Sequence, residues 1–259
     1  SRGVRFEASN KREVIMSELD VIEEDLKIAS RILEWEIGDI WGHVGTRMPS
    51  GDGVTLKLFR KPEEEGVEDW IVRFDYSMKK ISGVARPPTE AAIYTEIFKA
   101  RPDVNAIVHC HAPMCIALGL AGTKIDAVHM QSGPFAGGVP IFEKPIFIID
   151  EDEGKELAAA MKQVNAIVLN GHGIVMLGKS IDEVCIRSLY LERTARIITA
   201  AQSLGFKKVS DEFRRYMDGT KKKHREYLDK VRGPHHYIAE WTYYKDKVRK
   251  GEWWSRGSS

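Results

Sequence analysis

Apolar residues Val14, Ile15, Leu19, Ile22, Leu26, Ile28, Ile32 and Leu33 recur at helical spacing among charged ones, which predicts an amphipathic helix over residues 12–36, closed by Gly38. A short strand or loop over 41–47 and a turn over 49–53 follow. The period then shortens to two, predicting strands over 54–59 and 70–74 on either side of a charged, solvated loop at 61–68. Thr89 stands where an N-cap would, so Glu90 falls in the first turn of a helix running to Lys99, and Arg101-Pro102-Asp103 stops it. Residues 105–109 read as a buried strand that runs straight into His111 and Pro113, where a helix of small apolar residues begins.

Beyond a glycine-rich stretch at 133–139, the pattern predicts a strand over 141–149 and a helix over 152–162. Residues 166–169 and 174–177, joined by Asn170-Gly171-His172-Gly173, form a hairpin signal with a histidine at its tip. Ser180 and Glu183 have the spacing of a capping box that opens a long helix to about Leu204. A helical, basic stretch then leads to Trp241-Thr242-Tyr243-Tyr244 and Trp253-Trp254, with Lys221-Lys222-Lys223-His224-Arg225 as a solvated helix face.

With 259 residues and no internal repeat, one large domain is expected: a unit over 12–232, followed by an aromatic and basic tail over 233–259 that could pack on a neighbouring subunit. Lys+Arg 39 against Asp+Glu 38 gives no global field for nucleic acid or an anionic membrane, so an anionic ligand must be held locally. No apolar run reaches the length of a membrane span. Three cysteines without CxxC spacing suit reduced core thiols and a cytoplasmic location.

The chemistry lies in Glu90, His109, His111 and His172. Residues at i and i+2 of an extended strand point to the same side, so His109 and His111 can reach one ion, while Cys110 points to the core. His172 sits between glycines that let the backbone approach closely. Imidazoles and a carboxylate suit Zn2+ or Mn2+, and also Fe2+, one ion per subunit.

Thr89-Glu90 opening a helix, then Arg-Pro-Asp-Val-Asn-Ala-Ile-Val-His-Cys-His-Ala-Pro from Arg101, then Asn-Gly-His-Gly-Ile-Val from Asn170, resemble the class II aldolase/adducin family in order and separation. The resemblance covers about 17–205. It implies an α/β fold, a three-layer α/β/α sandwich around a predominantly antiparallel sheet, commonly assembled as a homotetramer with sites at subunit interfaces. It implies His109, His111 and His172 as metal ligands, with Glu90 as acid/base and further ligand. Bound metal then acts as a Lewis acid for cleavage beside a carbanion.

The chain departs from the sugar-phosphate members of that family. His43 replaces the asparagine of their phosphate loop, Pro88 replaces a serine before the glutamate, and Met130 falls where a proton-donating tyrosine is expected. Proline supplies neither hydroxyl nor backbone donor. These changes resemble the decarboxylase-like branch, whose members act on carboxylated, often aromatic hydroxy acids. Arg47, Arg86 and His43 are then the expected carboxylate anchors, with Thr89 beside them, His129 as an aid to proton transfer and Tyr244 as an aromatic wall or phenol acid. An aldolase, an Fe2+ oxygenase on the same ligands and a non-catalytic adducin-like interaction module are the rival readings.

Overall fold

The computed structural model describes residues 17–59, 70–144, 147–206, 212–213, 215 and 237–251. The helical turns expected over 12–16, the loop at 61–68, the basic run at 221–225 and Trp253-Trp254 lie outside the described residues.

Helix α1 (Glu18–Ile37) opens on a reciprocal capping box between Ser17 and Asp20 and ends at Gly38, whose left-handed φ of 83° satisfies the last turn. Strands β1 (His43–Arg47), β2 (Gly53–Leu58), β3 (Ile71–Asp75) and β4 (Lys80–Gly83) follow. Next come α2 (Ala91–Ala100), β5 (Ala106–Cys110) and α3 (Pro113–Leu120). After a 3-10 turn (Met130–Phe135) come β6 (Ile141–Phe142), α4 (Glu151–Ala160), β7 (Ala166–Leu169), β8 (Gly173–Gly178), α5 (Ile181–Ser203) and α6 (Ile238–Arg249).

The eight strands form one mixed sheet in the order β4-β3-β2-β1-β5-β8-β7-β6. Every adjacent pair is antiparallel except β6 with β7. Alternation along β5 shows how the sheet divides the interior. Ala106, Val108 and Cys110 join an apolar cluster with residues of α1, α3 and α5, whereas Ile107 joins a second cluster with residues of α2 and α4. His109 points to the second side, toward the start of α2, and that alternation carries it to Glu90.

Several expectations need correction. Of the strand expected over 141–149, only Ile141–Phe142 pairs with the sheet, and Glu143 and Lys144 are already outside it. Edge strand β4 carries no apolar alternation and is largely exposed, so periodicity did not reveal it. Ser180 makes no side-chain cap on α5; instead Glu183 accepts from the Lys179 N–H at 2.7 Å. Within the stretch expected as a tail over 233–259, helix α6 lies against α1 and α5 of its own chain, with Tyr237, Trp241 and Tyr244 buried in their cluster. Lys245 pairs with Asp25 and Arg249 with Glu24, fastening α6 to α1.

Candidate metal centre

Sheet register brings the first two histidines together: His43 on β1 lies opposite His109 on β5. His111 follows just past the end of β5, and the β7–β8 turn carries His172 back over it. Ring centroids of His109 and His172 are 4.9 Å apart, those of His109 and His111 5.1 Å, and those of His111 and His172 5.3 Å. A ring nitrogen from each of the three lies within 4.8 Å of the others.

Glu90 enters from the opposite side. It is the N-cap of α2 rather than a first-turn residue, with φ −99° and ψ 34°, and this non-helical backbone turns its carboxylate inward. Oε1 accepts from the Ile148 N–H at 3.0 Å, and Oε2 lies 3.2 Å from His109 Nε2 and 3.5 Å from His172 Nε2. Burial opposes ionisation of this carboxyl, but whenever the adjacent ring of His109 or His172 carries a proton toward it, that proton and the Ile148 N–H outweigh burial and hold Glu90 below the usual carboxylate range.

The ring nitrogens fit a divalent ion. His109 Nδ1 lies 3.0 Å from the Ile174 carbonyl, which can only accept, so Nδ1 carries the proton and Nε2 is bare. His111 Nδ1 likewise faces the Asp39 carboxylate at 3.1 and 3.2 Å, leaving its Nε2 free. His109 Nε2 and both ring nitrogens of His172 are buried without a hydrogen-bond partner among the described residues. Such orphaned groups are costly unless something binds them. Burial pushes the His109 pKa down despite Glu90, which favours the neutral, ligating imidazole.

Asp39 was not identified from sequence. Its Oδ2 accepts from the His111 backbone N–H at 2.8 Å and its Oδ1 from the Trp41 N–H at 2.8 Å, while both oxygens face His111 Nδ1. Burial disfavours charge on both groups, yet their pairing raises His111 and lowers Asp39 relative to their ordinary values. A carboxylate that orients a ligating imidazole is the usual outer support of a metal site. The signal for it was slight, an aspartate directly after the helix-closing Gly38. Gly42 is also required here, since a Cβ would come within 2.7 Å of Asp39 Oδ2 and 2.8 Å of the His109 carbonyl. Glu192 on α5 accepts from the Met114 and Cys115 N–H groups, capping α3 just beyond His111.

A cavity of about 940 Å³ opens on this centre. Glu90, His43 and His111 form its floor, Trp41, Phe59, Trp70, Pro87 and Pro88 are among its apolar walls, and Arg86 and Thr89 lie on its lining. Trp41, Val84, Phe147 and Ile149 leave an exposed apolar rim. His43, Arg86 and Thr89 thus lie where a substrate anchor is expected.

Three other expected site residues point elsewhere. Arg47, at the far end of β1, donates to the carbonyls of Val104, Phe98 and Arg101 and to the Tyr76 hydroxyl, and its guanidinium covers the Phe98 ring at 4.6 Å. Its donors are committed to carbonyls in the last turn of α2 and the loop after it and to the Tyr76 hydroxyl, so it is a structural clamp. His129 Nε2 lies 3.1 Å from Thr194 Oγ1 on α5, and Tyr244 accepts from Arg193 at 2.7 Å; neither lines the cavity.

An α/β fold with a largely antiparallel sheet, carrying three clustered imidazoles and a carboxylate beside an apolar cavity that His111 and Glu90 line, defines a candidate metalloenzyme. The Class II Aldolase and Adducin N-terminal domain family matches residues 35–199, and the chain belongs to it. Among similar proteins, 3,4-dihydroxyphthalate decarboxylase of Arthrobacter keyseri is 27% identical over 201 residues, covering 70% of this chain and 79% of the relative. L-fuculose phosphate aldolase of Escherichia coli is 32% identical over 135 residues, covering 52% and 61%. The fold is similar to that of an aldolase II superfamily protein from Pseudomonas syringae, with TM-score 0.75 and 19% identity over 92% of this chain and 96% of that one.

Proposed function

We propose that the protein is a divalent-metal-dependent carbon–carbon lyase, and specifically a decarboxylase of a hydroxylated, aromatic carboxylic acid. The observation that carries this reading is the cavity itself. Its wall beside Glu90 is Pro87-Pro88 with aromatic neighbours, a surface for a flat apolar ring, where a phosphate would need hydroxyl and N–H donors. The similarity to dihydroxyphthalate decarboxylases supports it.

His109, His111, His172 and Glu90 would hold the ion. When bound, Zn2+, Mn2+ or Fe2+ supplies Lewis acidity that draws off negative charge from substrate oxygens. The chain supplies the rest. Aromatic and proline walls orient the ring and exclude water, and Arg86 offers a guanidinium to a carboxylate at the cavity lining. As the carbon–carbon bond breaks, its electron pair stays on the ring carbon and carbon dioxide leaves. A proton must then replace the lost carboxyl. Glu90, which faces both the ligand cluster and the cavity, would take that proton from solvent water and deliver it to the ring carbon, returning to its ionised form.

We further read the two-sided packing as the three-layer sandwich and the assembly as a cytoplasmic homotetramer; the exposed apolar rim and three buried free cysteines accord with this. Among the described residues, no helix is long and apolar enough to cross a membrane. The test is carbon dioxide release from hydroxylated benzoic and phthalic acids. Release should vanish on chelation and return with Mn2+ or Zn2+, and turnover persisting in His109→Ala would sink the assignment. The similarity to fuculose phosphate aldolases favours an aldolase as second reading; aldehyde release without carbon dioxide would select it.

A further inference from the structure

Resting on that reading of the site, we infer that His43 recognises a hydroxyl group of the substrate, acting as a hydrogen-bond acceptor through a bare Nε2. The argument starts from one proton. Tyr94, fully buried, donates its single hydroxyl hydrogen to the His43 carbonyl at 2.8 Å. The same oxygen lies 2.8 Å from His43 Nδ1. Having spent its hydrogen, the phenol can only accept from that ring, so Nδ1 carries the imidazole proton and Nε2 has a lone pair.

Nothing among the described residues takes up that lone pair. His43 is 3% exposed, it lines the cavity, and its ring lies 5.1 Å from the His109 ring. One of its ring nitrogens lies within 4.8 Å of a Glu90 oxygen and a His109 nitrogen. Since His109, His111, His172 and Glu90 are the donors that would hold the ion, His43 Nε2 remains for the substrate.

This polarity decides what the residue selects. Carboxylate and phosphate oxygens are acceptors, and two lone pairs face to face repel; a hydroxyl offers the hydrogen that Nε2 lacks. His43 is therefore a specificity-determining residue for a hydroxyl beside the reacting carbon rather than the carboxylate anchor expected from sequence. An analogue without that hydroxyl leaves a buried acceptor unpaired, which costs binding.

The test uses zinc-loaded protein with 15N-labelled histidine, with zinc uptake measured first. Long-range 1H–15N spectra should show His43 protonated at Nδ1 only, and Tyr94→Phe should shift the proton toward Nε2. By calorimetry, the ratio of salicylate to benzoate affinity should fall about fivefold to tenfold in His43→Phe, and part of the way in Tyr94→Phe, with benzoate binding little changed in Tyr94→Phe. Comparing the ratio between variants cancels any contribution from chelation of zinc by the salicylate hydroxyl. An unchanged ratio in His43→Phe, a proton on Nε2 in the wild type, or zinc bound at His43 Nε2 would each overturn the inference. Failure to take up zinc would overturn the lyase reading instead.

Discussion

Asp39→Asn isolates the support of one proposed metal ligand, His111, without changing the size of the supporting side chain. Asp39 is 6% exposed and meets only donors: the N–H groups of Trp41 and His111, and His111 Nδ1–H. An amide in its place has one acceptor and one donor end. With the NH2 toward Trp41, that backbone N–H loses its acceptor; with it toward His111, the loss falls on the ligand's own N–H. Either orientation leaves a buried donor unpaired, at a cost of about 1–3 kcal/mol in stability. The His111 ring also loses the charge that fixes its tautomer, and such outer-support changes reduce metal affinity by about 10–100-fold, or roughly 1.4–2.8 kcal/mol. Competition for Zn2+ against a chromophoric chelator measures the second quantity, and urea unfolding of the metal-free protein the first. Glu24→Gln, which breaks an outer pair with Arg249 on α6, is the control and should leave zinc affinity unchanged.

The same variant has a pH signature in the metal-free protein. Because His111 has a raised folded pKa, its pairing stabilises most below the unfolded value of about 6.5 and fades as pH rises through the folded value. Asp39 has a lowered folded pKa, so its share is present above about 3.9 and is lost as pH falls. The stability gap between wild type and Asp39→Asn should therefore be widest between about pH 4 and 6.5 and narrower at pH 9. A folded Asn variant with zinc affinity within about twofold of wild type would refute the proposed support, since second-shell losses are normally tenfold or more.

Other variants separate chemistry from architecture. His172→Ala should abolish stoichiometric zinc binding while the metal-free protein changes little in stability, because losing two buried nitrogens without hydrogen bonds offsets losing the ring beside the Glu90 carboxylate; elemental analysis and thermal unfolding read the two effects. Arg47→Ala should lower stability by about 2–4 kcal/mol in urea, since three carbonyls lose a charged donor, and should leave the substrate KM unchanged. Gly42→Ala should cost about 1–3 kcal/mol and weaken zinc binding, because its Cβ would be 2.6 Å from the Phe59 ring and 2.7 Å from Asp39 Oδ2. Normal zinc affinity and stability in that variant would show that the β1 approach has slack.

What the sequence revealed, and what it hid, follows from the range of the forces involved. Elements with local signals emerged close to their observed bounds: α2 and α4 within a residue or two at either end, and the β7–β8 hairpin from its Asn-Gly-His-Gly turn. The candidate ligands His109, His111 and His172 were legible because imidazoles suit a metal and because the motifs that carry them resemble one family in order and separation. The exposed edge strand β4 was not, and β6 was expected from its start at Ile141 but far too long, since pairing with a neighbour, rather than their own pattern, makes them strands.

The charged residues near His43 show the deeper limit. Arg47 and Asp39 lie four positions to either side of it, and only Arg47 looked like part of the site. Four residues along an extended strand is about 13 Å, enough to carry Arg47 to the other end of β1 and onto carbonyls at the end of α2 and just beyond it. Four residues back through the turn after Gly38 is no such distance, because the chain reverses there and brings Asp39 under His111, 72 residues away in sequence. Tyr94 reaches His43 in the same way across 51 residues. Sequence separation alone therefore misassigned both charges. The backbone between them decides which one reaches the centre, and Arg47→Ala and Asp39→Asn should divide accordingly, the first affecting stability alone and the second affecting both stability and metal binding.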